Sequence, residues 1–177
     1  MNAFTSLVAA ALPSEAFDAA TAQFHAWRGK NLDIFSRTEA AVTETLLALR
    51  SVGRRGEVVK MPHLVGQRYA ALDAAIGPIG PFAAEGKKAI AALTEFDAHT
   101  RIRTMLCHGV GDILLDRHGR WTVLLRNLSL SVDQAERDSL LLSQDEADLL
   151  QAAIARASQV LCSHLGHLRT NLVSAKS

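Results

Sequence analysis

Fourteen arginines and seven histidines are spread along the 177-residue chain, and one stretch sets them at spacings that chemistry can use. It reads His99-Thr100-Arg101-Ile102-Arg103-Thr104-Met105-Leu106-Cys107-His108-Gly109. Arginine is a permanent cation whose planar fork fits phosphoryl oxygens, and histidine exchanges protons near neutral pH. On a regular helix Arg103 and His108, five residues apart, lie about 140° apart. They converge only if the helix unwinds near Gly109 or a second subunit completes the site. Arg101 and His108, seven apart, share a face, as do His99 and Arg103, four apart. A purely structural reading stands beside this one. Cations near a helix C-terminus are favoured by the helix dipole, and His108 then caps the last carbonyls while Gly109 takes a left-handed turn.

Local charge supports a phosphate contact in this region. The chain carries a formal charge of only +1, so bulk attraction to nucleic acid or anionic lipid is excluded. Between His99 and Arg126, however, Arg101, Arg103, Arg117, Arg120 and Arg126 stand against only Asp112 and Asp116, a net of +3. Three histidines (His99, His108 and His118) fall in the same stretch. A basic patch on an otherwise neutral protein is what local phosphate binding would need. Trp121 offers a ring for stacking on a base, although a Trp opening a strand is more often core. Arg54-Arg55 read as a solvated turn. Cys162, His164 and His167 lack a fourth ligand at suitable spacing, so no metal is expected. Neither a phosphate loop nor a dinucleotide fingerprint is present, and no cofactor is expected. Cys107 and His108 point different ways on a helix, as do Glu39 and Glu44.

The elements that must position these residues are helical. The chain has 29 Ala and 25 Leu against 11 Val and 7 Ile, a balance that disfavours a sandwich or barrel. Ser14 reads as the N-cap of a first helix whose stripe is Phe17, Ala20, Phe24 and Trp27, with a kink or break at Gly29 to Asn31. A second stripe runs Ile34, Phe35, Val42, Leu46, Leu47, Leu49 and ends before Gly53-Arg54-Arg55-Gly56. A helix from near Pro62 to Ile76 meets the breaker Gly77-Pro78-Ile79-Gly80-Pro81, and another spans roughly Ala83 to Cys107. Ile113 to Asp116 and Trp121 to Arg126 flank a four-residue glycine-containing turn, the pattern of a β-hairpin. Residues 128–132 read as a further extended piece. Ser143 and Glu146 form a capping box before a regular helix through Leu150, Ile154, Ala157, Leu161, Leu165, Leu168 and Leu172. The expected fold is therefore a single all-α domain over residues 1–177. It is an up-and-down bundle of four to five helices with a small β-hairpin inserted near 113–126. Two cysteines make no disulfide framework, no 18 apolar residues run together, and no Lys or Arg precedes Arg28. These features imply a cytoplasmic protein with no membrane contact, and a helix lead-in or frayed arm at its N-terminus.

Arg103, a polar Thr104, the short apolar run and then His108-Gly109, at a helix end in a small helical domain, resemble the HEPN superfamily. That resemblance implies a HEPN-like bundle and an RNA-binding protein or metal-independent endoribonuclease. It implies a homodimer in which both Arg–His pairs line one cleft, and for some members a nucleotidyltransferase-type antitoxin as partner. Arg103 is then the phosphate clamp and His108 the proton-transfer group in attack of a ribose 2′-OH on its phosphate. Arg101, Thr104, His99 and Arg120 are the further phosphate or RNA contacts. Thr104 departs from the pattern, because active members usually carry Asn, Asp or His there, and Thr does no acid–base work. The alternative from another class is a non-catalytic helical module for dimerisation or protein interaction.

Overall fold

The computed structural model describes residues 14–131 and 134–174. Six helices occur among them: α1 (Ser14–Arg50), α2 (Gly53–Glu57), α3 (Val65–Ile76), α4 (Ala83–Asp97), α5 (Thr100–His108) and α6 (Gln144–Ser174). Between α5 and α6 lie three strands, β1 (Val110–Leu115), β2 (Trp121–Ser131) and β3 (Gln134–Ser143), which form one antiparallel sheet in that order. The molecule is mostly helical, with this small sheet at one end.

α1 runs unbroken through Gly29, where a kink was expected. A mid-helix glycine costs only about 1 kcal/mol relative to alanine. Against that, one buried stripe continues past it at steps of three and four: Ala20, Phe24, Trp27, Asn31, Phe35, Thr38, Val42, Leu46 and Leu49. Each large apolar member contributes about 1.5–3 kcal/mol by burial, so packing outweighs the glycine. α1 packs chiefly against α6. Trp27 Nε1 donates to Ala147 O at 2.8 Å, and Thr38 shares a hydrogen bond with Ser158, so both links join residues 120 apart in sequence. A constant offset means that α1 and α6 run parallel.

The helix expected from Ala83 to Cys107 is two helices. α4 ends at Asp97, His99 N–H bonds back to Phe96 O at 3.0 Å, and α5 starts on a new axis. The helix expected from near Pro62 starts three residues later, at Val65. Gly53 to Glu57, read as a turn, forms one short helical turn entered at positive φ by Gly53.

The hairpin is present and larger than expected. β1 begins at Val110, β2 continues to Ser131, and β3 pairs along most of β2, from Thr122 opposite Ser143 to Ser131 opposite Gln134. β3 opens with Ala135-Glu136-Arg137-Asp138, residues with little intrinsic strand preference, and its pairing with β2 holds it extended. Trp121, Val123 and Leu125 point into the core, and Trp121 packs on Phe24 and Trp27 with ring centroids 5.9 and 6.1 Å apart. The capping box forms as expected: Ser143 N–H and Oγ both bond Glu146 Oε2, at 2.8 and 2.7 Å. The arm at residues 1–13 and the last position of the 128–132 piece lie outside the described residues, as does the side chain of Ser14.

Candidate functional site

The short helix α5 carries most of the candidate residues, and its faces have different surroundings. Arg103 turns toward the helices. Its Nε donates to Glu39 Oε1 of α1, and Tyr69 of α3 sits in the same electrostatic neighbourhood. Burial opposes the Arg103 cation, but the Glu39 carboxylate outweighs it and holds the guanidinium above its ordinary pKa. Burial first, and then the Glu39 charge, push the Tyr69 phenol up, and its hydroxyl has no hydrogen-bond partner among the described groups.

The opposite face of α5 looks onto the β2–β3 ribbon. Arg101 Nε and Nη2 bond the two oxygens of Asp138 at 2.8 and 2.6 Å, and Nη2 also reaches Ser139 O at 3.2 Å. This fork holds the Asp138 carboxyl below its ordinary value. Thr104 bonds back to Thr100 O within the helix. Arg101 and Thr104 line a cleft of about 520 Å³ with Asn127 and Arg137. His108 lines the adjoining cleft of about 600 Å³, bounded by Val110, Arg126, Leu128 and again Asn127 and Arg137. Arg101 and Thr104 thus border a cleft on the α5 side of the ribbon, and His108 borders a second one that takes in Val110, Arg126 and Leu128.

Arg103 and His108 do not meet within one protomer, as the helical spacing implied. His99 stays at the start of α5 with its ring edge toward Phe96, at 6.4 Å between centroids. Arg120 lies in the β1–β2 turn, where it bonds Asp116 at 3.1 Å and Asp145 at 3.2 Å. The end of α5 is capped by Arg28, whose Nε donates to Leu106 O at 2.7 Å. Gly109 is extended, at φ −73° and ψ 142°, so the left-handed turn is not formed. A Cβ there would stand 2.4 Å from Met105 O, so glycine lets the chain leave α5 close against the helix's own last turn.

The positive stretch is largely neutralised by acids that fold back onto it. Arg101 is paired with Asp138, Arg103 with Glu39, Arg120 with Asp116 and Asp145, and Arg126 with Asp112. Arg117 directs its Nε to His118 Nε2 at 3.1 Å. Glu39, Asp138 and Asp145 come from outside the 99–126 window, which is why local counting leaves them out. Arg55 is likewise engaged, bonding Glu85 at 2.8 Å and lying 4.6 Å over the Phe82 ring. Trp121 is core, not a surface ring.

Sequence reasoning missed Asn127, Arg137 and Asp138 as groove residues, and Leu128 and Leu130 as surface residues. The strict alternation Asn127-Leu128-Ser129-Leu130-Ser131 was the available signal for the second group. Among the described residues no group of three or more His, Cys, Asp or Glu is placed to hold a metal, and no helix is long and apolar enough to cross a membrane. No family model, curated protein or solved structure matches the chain.

Proposed function

We propose that this protein is a non-catalytic interaction module that docks another protein through the outer face of its sheet. One observation carries the reading: that face leaves five large apolar side chains uncovered, around the Asp112–Arg126 ion pair and Arg137. Val110 and Leu114 of β1, Leu128 and Leu130 of β2, and Leu141 of β3 all stand more than half exposed on the side away from the helices. Isolated surface leucines are ordinary, but several exposed on one sheet face are a mark of protein contact. The ion pairs described above add to this, because a guanidinium already bonded to carboxylate has less to offer a phosphate.

RNA contact, which the HEPN resemblance implies, is the second reading. It is favoured by the cleft where His108 and Arg137 face each other's surroundings, since neither makes an ion pair with a described residue. In that reading Arg103 must leave Glu39 before it can clamp a phosphate, and cleavage requires a second subunit to complete the Arg–His site. Photo-crosslinking in cells that produce the full chain separates the two. With a benzophenone amino acid at Leu114 or Leu141, the interaction reading predicts discrete protein adducts, absent when the probe is placed at exposed Leu149 of α6. Adducts that vanish on ribonuclease treatment favour RNA. No adduct above the Leu149 control overturns the interaction reading.

A further inference from the structure

We propose that the free edge of β2 pairs, antiparallel, with the same edge of a second copy of this chain about a two-fold axis at Ser129. The proposal rests on the interaction reading above and names its partner. β1 meets β2 from Val110 opposite Arg126 onward, so the segment Asn127–Ser131 has β3 on one side and no described strand on the other. The backbone N–H and C=O groups along such an edge are a template for another strand.

The other two edges of the sheet are guarded in ways that this one is not. Along β3, Glu136, Arg137 and Asp138 set three charges in a row, and the Arg101 guanidinium already occupies the Ser139 carbonyl. β1 is only six residues long and carries Asp112 near its middle. Asn127-Leu128-Ser129-Leu130-Ser131 contains no charge and no proline, the devices that keep edges apart.

The segment also matches itself. Antiparallel pairing of a strand with its own copy is symmetric about one residue, the geometry of a closed two-fold interface. With that residue Ser129, all five edge positions find partners: 127 with 131, 128 with 130, and 129 with 129. Leu128 then stands opposite Leu130 of the second copy, and the reverse pair forms as well. These are exposed leucines, at 62% and 85%, and pairing covers both on the same face. Asn127 and Ser129 fall on the α5 side, where they already line the groove with Arg101.

A disulfide trap tests this register. Directly opposed residues in an antiparallel pair have Cα atoms about 4.5–5.5 Å apart, within the span of a disulfide. In a Cys107→Ala, Cys162→Ala background, Ser129→Cys is expected to convert most of the chain to a covalent dimer under mild oxidation. Ser139→Cys, exposed on the β3 edge, is expected to remain uncrosslinked. Without the trap, the wild-type chain is expected to sediment at twice 19.1 kDa. Leu130→Lys, an exposed change that leaves the fold intact by circular dichroism, is expected to weaken association by about tenfold or more. A wild type that stays monomeric at every concentration overturns the proposal, and the Leu114 and Leu141 crosslinks then decide whether another protein is the partner. A dimer that ignores Leu130→Lys, and in which Ser129→Cys crosslinks no faster than Ser139→Cys, overturns the register while leaving the interaction reading in place.

Discussion

The two halves of β2 share one strand and one alternation but have opposite environments. From Trp121 to Arg126 the strand has a neighbour on each side, and its inward residues Trp121, Val123 and Leu125 are buried against α1 and the rest of the core. From Asn127 to Ser131 it has β3 alone, its inward residue Asn127 faces a polar groove, and its outward leucines face solvent. The near half behaves as part of the helical core. The far half has the composition of a core strand without the partner. A strand that alternates apolar and polar residues yet buries neither face is marginal alone, and the proposed protein contact would cover it.

Substitutions should separate the halves sharply. The largest loss is expected for Trp121→Ala, which removes the ring packed on Phe24 and Trp27 and should cost about 3–5 kcal/mol in chemical denaturation. A loss under about 1 kcal/mol would mean that the near half is not core. Glu39→Ala strands a half-buried Arg103 cation beside Tyr69 and should cost about 1–3 kcal/mol. The double variant Glu39→Ala/Arg103→Met should recover part of that, and a cost for the double equal to the sum of both single changes would sink the pairing. Leu130→Ser in the far half should stay within about 0.5 kcal/mol of wild type in dilute solution, while lowering self-association.

The smallest effect is pH-dependent and belongs to the ribbon's attachment. Because Arg101 lowers the folded pKa of Asp138 below its ordinary 3.8, the link is complete above that value. It is lost as pH falls through the lower folded value. Amide exchange along β3 near Asp138 should therefore speed up, relative to the near half of β2, only in that acidic window. Arg101→Ala should remove the difference at every pH.

Much of this fold was legible in the residues, and the exceptions have physical causes. The stripe on α6 and the Ser143–Glu146 box are local patterns, readable because each depends on neighbours three or four positions away. Gly29 misled because its propensity is local while the packing that overrides it comes from α6, 120 residues on in the paired links. The break at His99 hid inside a continuous helical pattern, since the chain there bends without proline or glycine. β3 was missed because Glu136, Arg137 and Asp138 carry no strand signal of their own. For the candidate site, the sequence put Arg101 and His108 on one face and separated Arg103 from it. It could not supply Glu39, Asp138 or Asp145, which reach the basic stretch from other elements.

Hydrogen–deuterium exchange followed at two protein concentrations tests the contrast between the halves of β2 without altering a residue. Amides of the near half, Trp121–Arg126, should be protected equally at low and high concentration, because their partners lie within the chain. Amides of the far half, Asn127–Ser131, should gain protection as concentration rises and the edge finds its second copy. Equal, concentration-independent protection across the whole strand would contradict the account.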